Sequence, residues 1–187
     1  MCLDAKEHCM FKKIRNFYLK KVRKMSSMDI KISDWRKKGI TIGDRCHIYS
    51  NLPTTRDCFL LSIGNDVTIS GGCVFLLHDS SIGQLTNGKY TDLLGRIIIG
   101  NECFIGHSSV LLPGIELADG TVVGAGSVVT KSFKEKNVII AGNPAKIIGR
   151  TDDFLARYLD KGFNLDGMSQ AGIEALVRKN IEKLIEK

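Results

Sequence analysis

Four histidines are the side chains of this 187-residue chain best suited to proton transfer near neutral pH. The imidazole pKa lies close to neutrality, so a positioned histidine can serve as a general base. His8 lies in a charged N-terminal segment, and His47 follows Cys46 in an early repeat, where we expect it to face outward as a surface residue. The two candidates for chemistry are therefore His78 and His107.

His78 stands where a regular spacing of apolar residues stops. It follows the in-phase Phe75 by three residues, and the next two positions of that spacing are the polar Ser81 and Asn87. From residue 79 to 95 the pattern fails, which predicts a loop thrown out from a regular scaffold. Such a loop can cover a base at its root. The alternative is that His78 only forms hydrogen bonds within the loop.

The scaffold itself is a repeat of six residues. One stretch has an apolar side chain at every sixth position with no slip: Ile99, Ile105, Leu111, Leu117, Val123 and Val129. The same frame contains three earlier residues: Ile63, Ile69 and Phe75. A still earlier pair, Ile42 and Ile48, keeps the spacing but is offset by three residues. The chain therefore has three repeat blocks separated by two interruptions.

A period of six fits neither the 3.6-residue helix nor the two-residue strand, whereas a coil with three short sides of six residues produces it. One turn then takes three such sides, with the apolar residue inside, a small residue such as Ser109 or Ser127 beside it, and a following glycine such as Gly106. We expect that glycine to supply the backbone conformation of a corner. Successive turns should stack as parallel strands about 4.8 Å apart. The sequence predicts an all-β solenoid whose ends need caps.

Residues 40 to 150 resemble the hexapeptide-repeat acyltransferases, in particular the branch of maltose, galactoside and polysaccharide O-acetyltransferases. The motifs that carry the resemblance are Phe104-Ile105-Gly106, Leu112-Pro113-Gly114, the run from Val123 to Lys131, and Ala141-Gly142-Asn143-Pro144-Ala145-Lys146. The resemblance implies that the coil is a left-handed parallel β-helix, against the usual right-handed crossover rule. It also implies transfer of an acetyl group from acetyl-CoA, and a homotrimer with active sites between subunits.

The resemblance assigns roles to individual residues. Related transferases have their catalytic histidine just before an excursion of this kind, which implies that His78 is the base. Asn51 approximately matches an asparagine that orients the acceptor hydroxyl, although a turn asparagine explains it as well. His107 replaces a small residue beside the cofactor slot and either contacts acetyl-CoA, assists the base or simply faces outward.

For acetyl-CoA, the resemblance implies a slot along the coil edge. The backbone at Gly106, Gly124 and Ala125 can be approached closely there, although packing at a tight corner explains the glycines equally well. The same segment continues through Thr130 and Lys131. Basic side chains after the Pro-Ala step lie near the nucleotide phosphates in relatives, which implies this role for Lys146 or Arg150.

Composition narrows the classes of partner. Eight basic and two acidic residues lie within the first 25 positions, so this arm carries +6 of the net charge of +7. A basic arm on a near-neutral body argues against nucleic acid, which favours basic residues along a folded face. The six cysteines form no CxxC pair, so we expect free thiols and no metal. Without an apolar run of about 18 residues or a signal peptide, we expect a cytoplasmic protein.

Three segments are predicted: a basic helical arm over 1–38, the β-helix over 39–150 with its excursion loop at 79–95, and a helical segment over 151–187. In residues 10 to 24, four apolar residues lie near helical spacing: Phe11, Ile14, Tyr18 and Val22. This helix either caps the first turn or lies on the inner face of the membrane. The C-terminal helices are expected to cover the last turn or a neighbouring subunit.

The leading hypothesis is acetyl transfer to a sugar hydroxyl of a surface-polysaccharide precursor or small glycan, directly and with a histidine base. An amine acceptor on an amino sugar or xenobiotic fits the same fold. A zinc lyase needs three clustered histidines, and only His78 and His107 are suitably placed. A non-catalytic binding solenoid is the remaining alternative, and the motifs of the cofactor side weigh against it.

Overall fold

The fold is seen in a computed structural model, which describes residue 13, residues 15–21 and residues 25–185. Most strands have only two or three residues, as a coil with six-residue sides requires. The strands are β1 Thr41–Ile42, β2 His47–Ile48, β3 Leu61–Ile63, β4 Thr68–Ile69, β5 Val74–Phe75, β6 His78–Asp79, β7 Leu93–Leu94, β8 Ile97–Ile99, β9 Phe104–Ile105, β10 Val110–Leu111, β11 Glu116–Leu117, β12 Val122–Val123, β13 Val128–Val129, β14 Val138–Gly142 and β15 Ala145–Arg150. The α-helices are α1 Ser27–Lys37, α2 Ser81–Leu85, α3 Thr151–Tyr158 and α4 Gln170–Lys179, and residues 15–21 are also helical.

The chain passes in turn through three sheets, which we call first, second and third. The first has the order β1-β3-β8-β11, the second β2-β4-β9-β12-β14-β15 and the third β5-β10-β13. All neighbours in these sheets are parallel except β14 and β15. Ile98 pairs with Glu116 and Val110 with Val128, so each partner lies three six-residue sides further along the chain. The predicted turn of three sides, stacked as parallel strands, is confirmed.

The two interruptions of the repeat have structural causes. Thr41 pairs with Ser62, so the first turn is three residues longer than a regular one and the repeat is offset by three. A 3₁₀ turn at Cys58–Leu60 lies within this longer connection. Ser62 pairs with Ile98, which is twice the regular interval, because the excursion adds the length of one whole turn and keeps the frame.

The repeated apolar residues form the core. Each of the six residues of the regular stretch is at most 2% exposed, and the small residues two positions before them, such as Cys103, Ser109 and Ser127, are buried as well. Ser109 Oγ donates a hydrogen bond of 2.8 Å to Gly106 O, and Ser127 Oγ donates one of 2.6 Å to Gly124 O. A small side chain with a donor therefore satisfies a carbonyl group inside the coil.

The glycine after the apolar residue acts differently from the expectation. Gly106 does not have a positive φ; a Cβ there would lie 2.5 Å from Val123 O of the next turn, so glycine is needed for close stacking. The left-handed conformation occurs two residues later, for example at Ser108 (φ 59°) and Gly126 (φ 69°). The prediction that the Gly106 position supplies the corner conformation is wrong, because the turn is made further along.

Helix α1 covers the start of the coil. Ser26 and Asp29 form a reciprocal capping box at its N-terminus, and Ile32 joins the hydrophobic core of the first turns. Arg15 Nη2 forms an ion pair of 2.7 Å with Asp34 of α1, so the preceding helical residues lie against this cap. The apolar residues Phe11, Ile14 and Val22 of the predicted arm lie outside the described residues. No helix that the structure describes is long and apolar enough to cross a membrane.

The excursion and the C-terminal segment have their own local structure. The predicted loop contains the short helix α2, and it begins and ends in an antiparallel pair in which His78 lies opposite Leu94. At the C-terminus, the predicted helices are present as α3 and α4. Neither of them contains a fully buried side chain, and α3 follows directly on β15 and contacts it.

Candidate active site

A histidine and a carboxylate meet where the third sheet leads into the excursion. His78 Nδ1 lies 2.6 Å from Asp57 Oδ2, and the His78 side chain is 42% exposed whereas the Asp57 side chain is 12% exposed. An ionised carboxylate can only accept, so in the neutral imidazole the proton belongs on Nδ1 and the other ring nitrogen, Nε2, keeps its lone pair. A half-exposed imidazole held by a sheltered carboxylate is an arrangement suited to a general base.

Each partner is held by the irregular part of the coil. His78 is in β6, directly after the buried Leu77, so the sheet fixes its backbone. Asp57 lies immediately before the 3₁₀ turn, where Leu60 N donates to Asp57 O at 2.9 Å. Asp57 precedes His78 by the same interval that separates the paired Thr41 and Ser62. The carboxylate is thus brought beside the histidine by the extra length of the first turn.

The pair shifts the pKa of both partners. The hydrogen bond from Asp57, followed by its charge, raises the pKa of His78 above the ordinary 6.5. Burial alone would raise the pKa of Asp57, but hydrogen bonds from Thr55 and His78 outweigh it, and the pKa is lowered. The carboxylate therefore stays ionised and stabilises the imidazolium that forms when His78 accepts a proton.

A cleft of about 620 Å³ opens beside this pair, within the size range of small-molecule sites. It is lined by Thr54, Thr55, Arg56, Asp57, Phe59, His78, Asp92 and Leu94. Asp92 accepts a hydrogen bond from Ser80, which ties the two strands of the excursion together near His78. The cleft is therefore formed by the lengthened first turn on one side and the excursion on the other.

Sequence reasoning missed Asp57, Phe59 and Asp92. The sequence does contain a signal for Asp57. The three-residue offset of the first repeats means that residues 21 positions apart lie beside each other on the first two turns, and Asp57 and His78 are 21 positions apart. Phe59 and Asp92 lie in the 3₁₀ turn and the excursion, where the repeat pattern provides no register.

His107 lies away from the pair, at the edge where the second sheet turns into the third. A Cβ on Gly71 would contact the His107 ring at 3.4 Å, and Gly126 N donates to His107 O at 2.8 Å. Residues 71, 106–107 and 124–125 are thus stacked on successive turns, and we call this stack the His107 corner. Strand β5 separates Gly71 from His78, so the corner and the base lie at opposite edges of the third sheet.

The remaining predicted site residues divide among three places. Asn51, three residues after Ile48 of β2, is exposed at the first-turn end of the His107 corner. Lys146 is exposed and pairs with Ala141 of β14, beside the last turn of the same corner. Thr130 and Lys131 instead follow β13 and lie on the edge of the third sheet that also carries His78.

Arg150 lies furthest from the other predicted cofactor residues. It pairs with Val138 at the start of β14, at the edge between the first and second sheets, and forms an ion pair with Glu135. Its guanidinium is therefore already engaged with a carboxylate. The structure brings Asn51, Gly106, His107, Gly124, Ala125 and Lys146 to one edge, Thr130 and Lys131 to a second and Arg150 to a third.

A second cleft of about 590 Å³ lies between α1 and the first turn and is lined in part by His47. His47 is exposed, as expected, but no described carboxylate is bonded to it. The acids in this cleft are both engaged: the Asp29 carboxylate accepts a hydrogen bond from Ser26 N, and Asp44 pairs with Arg36. Of these two clefts, the His78 cleft is therefore the one in which an exposed imidazole is bonded to a sheltered carboxylate. Across the described residues, no group of three or more potential metal ligands occurs.

Comparison with known proteins agrees with this architecture. A family described as the hexapeptide repeat of succinyl-transferase matches residues 96–131. Protein CapG of Staphylococcus aureus is 39% identical over 151 residues, covering 79% of this chain and 84% of that protein. Galactoside O-acetyltransferase of Escherichia coli strain K12 is 32% identical over 129 residues, covering 68% of this chain and 62% of that protein.

Among solved structures, a hexapeptide-repeat-containing acetyltransferase from Vibrio cholerae O1 biovar eltor, complexed with acetyl coenzyme A, is similar with a TM-score of 0.52. Its sequence identity is 26%, and the match covers 61% of each chain. The chain thus spans less than two thirds of the length of the Escherichia coli galactoside O-acetyltransferase and of the Vibrio cholerae acetyltransferase.

Short parallel strands in turns of three six-residue sides are the structure that a hexapeptide repeat produces, and the matched family model covers residues within these turns. With the extensive match to CapG, they show that the chain belongs to the hexapeptide-repeat acyltransferase family. The predicted family and enzyme class are confirmed.

Proposed function

We propose that this protein transfers the acetyl group of acetyl-CoA to a hydroxyl of a sugar, on a coil of left-handed sense. The observation that carries the proposal is the 2.6 Å contact between His78 and Asp57 in the cleft. The names of two relatives, one a galactoside O-acetyltransferase and one an acetyltransferase complexed with acetyl coenzyme A, support the substrates. A small glycan or a surface-polysaccharide precursor fits this class of acceptor.

In the proposed reaction, His78 Nε2 removes the proton of the acceptor hydroxyl as its oxygen attacks the thioester carbonyl carbon. The carbon–sulfur bond then breaks, and the CoA thiolate leaves with the proton that His78 had taken. The products are the acetyl ester and CoA, and no acyl-enzyme forms. Asp57 keeps the imidazole in the required tautomer and stabilises its charged form, as a carboxylate does for the histidine of a catalytic triad.

The His107 corner is the proposed slot for acetyl-CoA. Gly106 is buried under the next turn, whereas His107 and Ala125 are exposed and Gly124 is half-buried, so a ligand can reach the corner at these three residues. The exposed Lys146 adds a positive charge at the far end of the corner. Lys146 is a better phosphate partner than Arg150, since Glu135 already holds Arg150. Thr130 and Lys131 lie at the His78 edge and would contact the cosubstrate there.

The separation of base and slot supports a homotrimer. His78 and the His107 corner lie at opposite edges of the third sheet, so a single chain does not bring them to one cleft. In a ring of three copies, the His78 edge of one subunit would face the His107 corner of the next. Light scattering should give three times the chain mass of 20.6 kDa.

The experiment that tests the function measures CoA release from acetyl-CoA with sugar, amino-sugar and amine acceptors. We expect turnover with hydroxyl acceptors and an ester product by mass spectrometry. Thermal shift with acetyl-CoA, CoA and ATP serves as the binding arm, because a ligand at 100 times its Kd adds about 2.7 kcal/mol of stability. Stabilisation by ATP alone, or an amide as the only product, would contradict the proposal.

A further inference from the structure

The cleft beside His78 contains an exposed aromatic ring that the reaction as described does not use. Phe59 is 60% exposed and lines the same cleft as His78 and Asp57. A single exposed apolar side chain is ordinary, but Phe59 lines a cleft together with a charged pair, and apolar and aromatic side chains with a few polar groups are typical of small-molecule sites. Leu94, also exposed, lines the cleft from the excursion and lies opposite His78 in the strand pair.

The backbone under Phe59 is fixed on both sides. Cys58 is 5% exposed and its thiol contacts Lys38 O at 3.0 Å, while Leu60 packs against the core. Cys58 N donates to Thr55 O at 3.1 Å and Leu60 N to Asp57 O at 2.9 Å. The same short turn therefore carries both the carboxylate that holds His78 and the exposed ring. The position of the ring relative to the base is set by this turn.

We propose that Phe59 is a specificity-determining residue that receives the apolar face of a ring-form sugar and so selects pyranose acceptors over open-chain polyols. This inference rests on the proposed function and adds to it the residue and the acceptor geometry. The C–H groups on one face of a pyranose carry partial positive charge and complement the electron-rich face of an aromatic ring. An open-chain polyol has the same hydroxyls but no such flat face.

The test uses the full-length protein and its Phe59→Ala, Phe59→Tyr and Phe154→Ala variants. Phe154 is the matched control, since it is a phenylalanine of similar exposure in α3, outside the cleft. The acceptors are the methyl pyranosides of glucose, galactose and mannose, with sorbitol as the open-chain comparison. For Phe59→Ala we expect KM for the accepted pyranoside to rise about tenfold, with kcat and KM for acetyl-CoA unchanged. Phe59→Tyr should restore the pyranoside KM, and Phe154→Ala should leave it unchanged.

Saturation-transfer NMR on the same pyranosides provides a readout that does not depend on turnover. The protons of one ring face should receive saturation from the wild-type protein and lose it in Phe59→Ala. An unchanged pyranoside KM together with unchanged saturation would overturn the inference while leaving acetyl transfer intact. A wild-type protein that releases no CoA with any hydroxyl acceptor would instead overturn the proposed function. An equal rise in KM for sorbitol and for the pyranosides in Phe59→Ala would show that Phe59 does not distinguish ring-form from open-chain acceptors, which would also overturn the inference.

Discussion

Between Ile97 and Val129 the coil advances in strict turns of three six-residue sides, whereas the turn that begins at Thr41 is three residues longer and the next is interrupted by the excursion. The regular part buries an apolar residue in every strand and satisfies its corner carbonyls with small side chains. The irregular part leaves a cleft open to solvent, in which the His78–Asp57 pair lies beside the apolar side chains of Phe59 and Leu94. The two parts share one sheet system but have different roles.

The difference shows how a repeat protein acquires a site. Every residue that lines the His78 cleft comes from the lengthened first turn or from the excursion, and none comes from the regular turns. The regular turns fix the backbone on which the insertions stand, since stacking buries the core. The inserted residues are free of the repeat and can carry a charge pair and an exposed ring.

The largest expected effect comes from removing the proposed base. His78→Ala should lower kcat/KM for acetyl transfer by about 10² to 10⁴, the range for a general base. The melting temperature should change little, because the side chain is partly exposed. His47→Ala is the matched control, since His47 is an exposed histidine that lines the other cleft, and it should leave kcat/KM unchanged. A His78→Ala variant as active as His47→Ala would show that His78 is not the base.

A core substitution in the regular region should affect stability and not chemistry. Ile105 is fully buried between turns, so Ile105→Ala should lower the free energy of unfolding by about 2 to 5 kcal/mol. Ile98 is the control, because it lies in β8, the preceding strand along the chain, but is 39% exposed. Ile98→Ala should lower the free energy of unfolding much less. Denaturant unfolding measures both. Similar losses of unfolding free energy in the two variants would contradict the assignment of Ile105 to the core and Ile98 to the surface.

The corner hydroxyls provide a smaller effect. Ser109→Ala removes the donor to Gly106 O and Gly124 O in a fully buried site, which should cost about 1 to 3 kcal/mol. Ser109→Cys should recover part of this loss, because Cys73 and Cys103 occupy equivalent positions and contact corner carbonyls. If alanine proved as stable as serine in a thermal melt, the hydroxyl would not be needed at the corner.

The smallest expected effect is a pH dependence of stability in the irregular region. The pKa of His78 is higher in the folded protein than in the unfolded chain, where it is about 6.5. The stability that the protonated imidazole contributes to the fold is therefore fully present below pH 6.5 and is lost as the pH rises through the folded pKa. The melting temperature of the wild type relative to His78→Ala should therefore fall over that interval. Melts at closely spaced pH values measure it, and a difference that rises with pH would contradict the sign.

The sequence was sufficient for the regular turns because one strict period specifies both the inward residues and the register. It also singles out His78 as a candidate, since the end of a period is visible without a structure. Asp57 required the register of the lengthened turn, and Phe59 lies in a 3₁₀ turn that no periodic pattern marks. The corner glycines were misread, because close contact between turns and positive φ both favour glycine and only coordinates separate them.

The N-terminal cap shows a similar limit. The prediction of a helix over residues 10 to 24 rested on apolar residues at helical spacing between basic ones. The helix that joins the core is instead α1. Its signal was the Ser26 to Asp29 capping box ahead of Ile32 and Trp35. The C-terminal helices were foreseen as helices, but whether they pack on another subunit depends on contacts beyond one chain.

We propose that His78 is the base and that Asp57 sets its protonation, and the pH dependence of kcat/KM in the wild type and Asp57→Asn tests this most directly. In the wild type, activity should rise with pH as His78 loses its proton, with an apparent pKa above 6.5. In Asp57→Asn this limb should move to lower pH and the plateau should fall, because the amide can present its N–H to Nδ1 and leave Nε2 protonated. Superimposable profiles in the two proteins would contradict the account.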